Sequence, residues 1–555
     1  MVGAGLVACG SDDDRSSSET TAVQTTETTT ASTEESTATT ATAGTETTAG
    51  TETTAGTETT AGTETTAPAV VEPPEGTLRV VAVSPAGINE QRDPLRLSSA
   101  AQTTGWSVFD PLLFENADRE ITRDGLATDW KVDPEANSIT LTLREGVTFT
   151  DGTPFDADAV KANMDRGVAM TDGSFFGGFY SRIDTVEVDD PSTVTISFTT
   201  MPPDIEVQLS RAPGWMISPA SFDLPDFSKA PVGTGPYMID LGSSSVQQVV
   251  MKLNPTYWNP AWQGVNEIRY TAVGTYDAAV QAVAAGEADM TSFLISADQR
   301  DLAESLGLTA IESPTYVAWG LWIPDHAGQV VPELGDPDVR TAMALAIDGQ
   351  GYNEGPLDGV GRPSNQLAPE GNPFFFEDLD STFTYNLEEA KKLLNGREFT
   401  CTSPLGVGTN QEQLAQFAKS ELAKVGITLE LVSVQGPAHL TERLTGNYTC
   451  PIGTWSYTDP ANFYNTFFRG PALVAAFGPM PADIEELATE GESTFDLAAR
   501  QPVYHDLYEK LMNEHYLSFY YQTGHWIAAD PDVTGITLKG DINSPWDARG
   551  VRVKG

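Results

Sequence analysis

The sequence predicts an α/β protein, and two stretches carry that prediction. From Glu267 to Ser313 apolar runs alternate with amphipathic ones: EIRYTAV, a helix over Tyr276 to Ala285, a helix around Leu302, then LTAIES. This β-α-β-α-β rhythm implies a mostly parallel sheet with helices on its faces. Three further strands, near Cys401, Leu429 and Cys450, are separated by helices around Leu414 and His439, which gives a second doubly wound unit. At 555 residues the chain exceeds what one core can organise, and 40% hydrophobic residues suffice for several.

The chain begins with material that cannot fold. Residues 10–75 are Thr, Ala, Ser, Glu and Gly, with TAGTETTAG repeated and almost nothing to bury, so a disordered Thr-rich linker is expected. A flexible coil of about 65 residues has a root-mean-square span of roughly 45 Å, enough to hold a globular body away from a surface. The formal charge of −47, from 78 acidic against 31 basic residues, disfavours nucleic acid and anionic lipid as partners. No run approaches the roughly 18 apolar residues of a membrane span.

Folded sequence starts at Thr77 with LRVVAV, an apolar strand, followed by a turn at Asp93-Pro94 and a short amphipathic helix over WSVFDPLLFEN. Residues 106–227 read as hairpins and short helices, so they form a small insert domain. In it, Ile139, Leu141 and Leu143 alternate with polar residues as a half-buried strand; Val147 and Phe149 continue as a second strand, with Asp151-Gly152 closing the hairpin. Asp156 is placed to cap a helix carrying Ala159, Val160, Ala162 and Met164 on one side. IDTVEV and TVTISF are strands joined across Asp190-Pro191, with a helix near Asp204. PVGTGPYMI offers Gly233 and Gly235 for close backbone approach, but no Lys-Ser/Thr follows and Pro236 blocks a helix start, so a turn between strands is expected and not a phosphate cradle. Beyond YVAWGLWIP, helices are expected at TAMALAID, EEAKKLLN, Ile484 and Val503 to Met512, with HWIAADPDVTGI a late strand.

The wording of these segments is more specific than their shapes. LREGVTFTDGTPFDADAV closely resembles the LR-x-G-V-x-F-x-D-G-x-P-F-x-A-x-D-V signature of the family 5 extracellular solute-binding proteins, the peptide-type receptors of bacterial ABC importers. PVGTGPY, Asn254 to Trp258 (NPTYW), Gly286-Glu287-Ala288-Asp289, the VRTAMALAID helix and YNLEEAKKLL resemble further phrases of that family, in order, over residues 77–555. The resemblance implies a two-lobed periplasmic-binding-protein fold of type II, the large peptide-receptor type. Lobe one would comprise residues 76–105, 228–315 and 525–555, the insert domain 106–227, and lobe two 316–524. A hinged cleft would close on a solute by rotation about the crossovers. The implied function is capture of a small solute, a peptide in the first instance, and delivery to ABC permease subunits served by a separate ATPase. The expected protein is an extracytoplasmic monomer with no cofactor, no covalent chemistry and no nucleic-acid partner. Leu6-Val7-Ala8-Cys9-Gly10 resembles a lipobox, so residues 1–9 are expected to be part of a lipoprotein signal peptide, with Cys9 as the lipid anchor and sole membrane attachment.

Catalytic constellations are not evident: the sequence has no H-E-x-x-H and no G-x-S-x-G. His505, His515 and His525 recur every ten residues, which puts successive members on different helix faces, and no metal site is expected. Candidate solute contacts are the aromatics Trp319, Trp322, Trp455, Tyr457, Tyr521 and Trp526, near the crossovers or at the C-terminal end of a lobe-two strand. Core packing is the alternative for each. Asp459 has two readings, a partner for a ligand ammonium or an N-cap for the helix begun by Pro460, and the cap is favoured. The family's W-x-x-D-Y-x-D-P phrase is shortened here to Trp455 with Asp459-Pro460, and its first Asp has no clear equivalent, so an oligosaccharide or another metabolite stays open beside a peptide. Cys401 and Cys450 could form a disulfide, contributing about 3 to 4 kcal/mol, or stay buried thiols. Rival functions are an extracellular carbohydrate-active enzyme with paired carboxylates, and a sensor or cell-wall interaction protein without transport.

Overall fold

The computed structural model describes residues 73–83, 92–96, 99–116, 119–170, 176–294, 297–357, 359, 361–380, 384–407, 411–435, 442–456, 459–539 and 546–554. Cys9, nearly all of the Thr-rich linker, the helix expected around His439 and Tyr457 lie outside them. No helix among the described residues is long and apolar enough to cross a membrane.

Strand β1 (Thr77–Ala82) buries Leu78, Val80, Val81 and Ala82, with Thr77 and Arg79 partly exposed. Helix α1 spans Ser99–Val108 and so lies earlier than expected: Asp110-Pro111 ends it, because the residue before a proline is driven out of the helical region. The insert domain is an antiparallel sheet of β2 (Ala127–Asp133), β3 (Ser138–Leu143), β4 (Ile183–Asp190) and β5 (Thr193–Phe198), in the order β2-β3-β5-β4. Ile139, Leu141 and Leu143 point into its core as their alternation requires. Val147 and Phe149 are buried but form no second strand, since both edges of β3 are taken by β2 and β5. Helix α2 (Ala157–Ala169) covers this sheet, and the Asp156 carboxylate caps it by accepting the Ala159 N–H at 3.0 Å.

The main sheet has nine strands among the described residues and is mixed, in place of the mostly parallel sheet expected. It contains β1, β6 (Tyr237–Ile239), β7 (Gln248–Leu253), β8 (Glu267–Ala272) and β9 (Met290–Thr291), and, later in the chain, β10 (Thr309–Trp322). Helices α3 (Tyr276–Ala284) and α4 (Ala297–Ser305) connect β8 to β9 and β9 to β10. Only β1 with β8 and β1 with β9 run parallel in this sheet among the described pairings. The glycines of PVGTGPY serve close packing: a Cβ on Gly233 would lie 2.0 Å from the Val108 carbonyl oxygen, and one on Gly235 2.5 Å from the Val108 carbonyl carbon.

The second unit holds α5 (Pro337–Ala346), α6 (Leu387–Leu394), β11 (Phe399–Val407), α7 (Gln411–Ala423), β12 (Ile427–Gln435) and β13 (Ile452–Ser456). β11 and β12 pair in parallel, whereas β13 joins the main sheet antiparallel to β10. Helices α8 (Pro460–Phe468), α9 (Ala482–Ser493) and α10 (Leu497–Asn513) follow, and β14 (Leu517–Ala529) returns along β10. The main-sheet order is therefore β13-β10-β14-β9-β1-β8-β7-β6, and the ninth strand, Arg362–Pro363, pairs with β14 off this path. The C-terminal residues 546–554 do not extend this sheet; they make short antiparallel pairs with 533–538 and pack Trp546, Ala548 and Val551 into the core around β1.

Candidate functional site

Two long strands hold the molecule's two halves. β10 pairs with β14 from Thr309↔Ala529 to Trp322↔Leu517, and the ladder is irregular between Ser313 and Val317, opposite His525 and Thr523. Pro314 lies inside that irregularity, where its missing N–H removes a ladder bond. On one side β14 reaches β9 and β1; on the other β10 reaches β13. The register shifts a second time between Trp319 and Gly320, and a pair of continuous strands broken in this way is a geometry able to bend at defined points.

Around this crossover the expected aromatic residues are interior. Trp319, Leu321 and Ile323 enter one core cluster, Ala318 and Trp322 another, so β10 is covered on both faces. Trp319 stacks on Tyr521 with centroids 5.7 Å apart and donates its indole N–H to Thr523 Oγ1 at 2.9 Å. Tyr521 stacks in turn on Tyr352, while Trp322 and Trp455 pack with Phe467. Trp526 is buried with Leu294 and Ala528, and Arg300 lies over its ring. Asp459 acts as the favoured N-cap, accepting the Ala461 N–H at 2.9 Å, and its two oxygens also accept from Arg500 Nη2 at 2.8 and 3.0 Å.

Arg443, which the sequence did not single out, packs against one of these aromatic residues. It lies beside the C-terminal end of β13 and is 5% exposed. Nη1 donates to the Thr454 carbonyl oxygen at 2.9 Å, and the guanidinium carbon lies 4.8 Å from the Trp455 ring and 5.9 Å from that of Phe467. Gln411, the first residue of α7, approaches the same place: a Cβ added to Gly453 would lie 2.6 Å from Gln411 Oε1 and 3.1 Å from Arg443 Nη1. Burial alone pulls the Arg443 pKa down to about 10. Nε has no hydrogen-bond partner, and no carboxylate pairs with this cation among the described residues.

The signature segments converge elsewhere. Asp110 accepts from Tyr257 Oη (2.9 Å), Trp258 Nε1 (3.0 Å), Thr234 Oγ1 (3.0 Å) and Arg549 Nη2 (2.7 Å). Arg549 also meets Asp547, which faces Lys539, so two buried cations are balanced by two buried anions. In the β3–α2 connection, Asp151 accepts from Ser218 Oγ and from Thr153, which fixes a turn. These contacts tie together segments distant in the chain.

The insert domain and the helices after β13 touch. Arg182 pairs with Glu492, Phe495 packs on the insert core, and Asp204 senses the charges of Asp459 and Arg500. Desolvation first, then the Asp459 charge, raise the Asp204 pKa to about 7.

Cys401 and Cys450 are buried free thiols, and desolvation, then a hydrogen bond to Cys401, raise the Cys450 pKa well above its ordinary value. The three histidines lie on different elements and not on faces of one helix: His505 on α10, His515 just beyond its end, and His525 on β14. His505, Asp506 and Glu509 do bring potential metal-ligand atoms within 4.8 Å of one another. Both His505 ring nitrogens already face carboxylates, Asp378 at 2.9 Å and Asp506 at 3.3 Å.

Residues 122–472 match the bacterial extracellular solute-binding proteins, family 5 Middle. The glutathione-binding protein GsiB of Escherichia coli (strain K12) is 28% identical over 327 residues, 57% of this chain and 62% of that protein, so the match spans less than two thirds of this relative. Among solved structures, the PBP AgaA in complex with agropinic acid, from A. tumefaciens R10, superposes with a TM-score of 0.74 at 22% identity, covering 86% of this chain and 99% of that one. The periplasmic binding protein DppA from Helicobacter pylori in complex with peptide STSA gives 0.75 at 19% identity over 87% and 98%. The fold is thus the two-lobed periplasmic-binding-protein arrangement.

Proposed function

The chain belongs to the bacterial extracellular solute-binding proteins of family 5, and from that premise we propose that it captures a small organic solute, a short peptide in the first instance, and hands it to an ABC permease. The solute would sit between the lobes, beside the β10–β14 crossover, and rotation about Pro314 and the opposing Thr523–His525 segment would enclose it. The observation that carries this reading is the crossover itself: two continuous strands whose pairing shifts register between Ser313 and Val317 and again between Trp319 and Gly320. The binding and transport division also fits a site built from cation, amide and aromatic groups instead of a nucleophile with its base. The names of the relatives, which bind glutathione, a peptide and agropinic acid, support a solute of this size.

Lipid attachment at Cys9 belongs to the same proposal. A Thr-rich tether behind an acylated cysteine would hold a monomeric receptor at the outer face of the cytoplasmic membrane.

A thermal-shift screen of short peptides, oligosaccharides and other metabolites tests the function. Ligand at about one hundred times its Kd stabilises a native state by about 2.7 kcal/mol, so a true solute raises the melting temperature by several degrees. Peptides raising it, with no product formed, is the expected result. Turnover of a glycoside would overturn the proposal in favour of the enzyme.

A further inference from the structure

We propose that the insert domain is the clasp of the closed form: its residues 177–210 grip the helices after β13, and this grip, made away from the crossover, holds the two lobes shut. This rests on the solute-binding reading above and adds to it the device that keeps the cleft closed.

The first ground is that the gripping parts belong to different bodies. The insert domain is fixed to the first lobe: the Thr150 N–H donates to the Gly233 carbonyl oxygen at 3.0 Å, Val232 and Trp258 pack against the insert core, and the Arg144 guanidinium carbon lies 4.2 Å from the Trp258 ring. Helices α8, α9 and α10 are fixed to the second: Phe463, Ile484 and Leu507 share a core with Ala318 and Trp322 of β10 and with Leu517 and Phe519 of β14, all on the far side of Pro314. A rotation at Pro314 therefore has to make or break whatever joins the two bodies.

The second ground is the quality of the join. Arg182, immediately before β4, pairs with Glu492 near the end of α9, with their side chains 19% and 12% exposed. Such a pair is screened less than one in open solvent. Glu492 is held in place from its own side, by Asn465 Nδ2 at 3.2 Å and Arg469 Nη1 at 2.7 Å. Phe495, between α9 and α10, packs on the insert core, and α8 lies against residues 177–180. Asp204 comes within range of the Asp459 charge, and the two carboxylates are kept compatible by Arg500, which donates to both Asp459 oxygens, and by Gln208 Nε2, which donates to Asp204 at 2.7 Å.

The third ground is reversibility. On separation Glu492 keeps Arg469, while Arg182 gives up its carboxylate partner and is rehydrated, so no unpaired charge stays buried on either face. A small, partly polar contact of this kind biases a two-state equilibrium without locking it.

The test uses the full chain with Arg182→Glu, which sets like charges against each other, Phe495→Ala, which removes the apolar part, and Arg182→Lys as the conservative control. Small-angle X-ray scattering of the unliganded proteins gives the radius of gyration, and trialanine and glutathione are the solute probes, followed by calorimetry and stopped-flow dissociation. Arg182→Glu and Phe495→Ala are expected to enlarge the radius of gyration and to bind any probe that the wild-type protein binds roughly fivefold to a hundredfold more weakly, through faster dissociation, the range of a coupling between distant sites. Arg182→Lys should stay near wild type. Two different substitutions keep the test open if one of them fails to fold. An unchanged radius together with unchanged affinity would overturn the clasp and leave solute binding standing. If neither probe binds the wild-type protein, capture of these solutes is contradicted, and an unchanged radius by itself then overturns the clasp.

Discussion

Arg549 and Asp110, 439 positions apart in the chain, meet at 2.7 Å in the interior of the first lobe. Asp110 is at the same time held by Thr234, Tyr257 and Trp258. One carboxylate therefore ties together VFDPL, PVGTGPY, NPTYW and the C-terminal segment.

Removing that carboxylate should be severe. Asp110→Ala leaves Arg549 with only Asp547 and orphans three neutral donors; breaking a buried pair costs on the order of 3 to 5 kcal/mol. Urea unfolding should show a lowered midpoint of about that size with an unchanged slope, and a change below about 1 kcal/mol would contradict the hub role.

Asp459 serves structure through two bonds, so Asp459→Ala should destabilise by the loss of a cap, about 1 kcal/mol, and by the unpairing of Arg500, which adds more. Binding of N-blocked and free-amine peptides should fall alike. Selective loss of free-amine peptides would return Asp459 to the role of ammonium partner.

Asp204 gives a pH dependence. Its pKa is raised to about 7 in the fold by burial and then by Asp459, so the native state holds a proton that the unfolded chain releases near pH 4. More protons bound in the native state means that stability falls as pH rises from about 4 to about 7. Asp204→Asn should flatten that segment of the melting-temperature profile; an unaltered profile would show that Asp204 does not titrate there.

Cys401 and Cys450, buried as free thiols, should be inert to a thiol reagent in the native protein and react once it is unfolded. An intact mass two daltons low without reductant would instead establish the disulfide.

Much of the fold was legible from local chemistry. The period-2 run of β3, the Asp156 cap and the helices from Tyr276 and Pro337 follow from spacing and capping that act within a few residues. What escaped was set by partners distant in sequence. Val147 and Phe149 had strand alternation but no free edge to join, and LTAIES and YVAWGLWIP merged into one strand because β14 pairs with both. A Trp at a crossover reads alike whether its strand has one covered face or two, and β10 has two. Arg443 left no trace in periodicity, because what distinguishes it, a buried guanidinium on the Trp455 ring with no carboxylate partner among the described residues, is set by folding.

Solute capture itself is tested most directly by isothermal titration of short peptides into the full chain. Saturable one-to-one binding is predicted, with a negative heat-capacity change as the lobes bury apolar surface around the ligand. Failure of every peptide to bind, or breakdown of a titrated glycoside during the experiment, would contradict it.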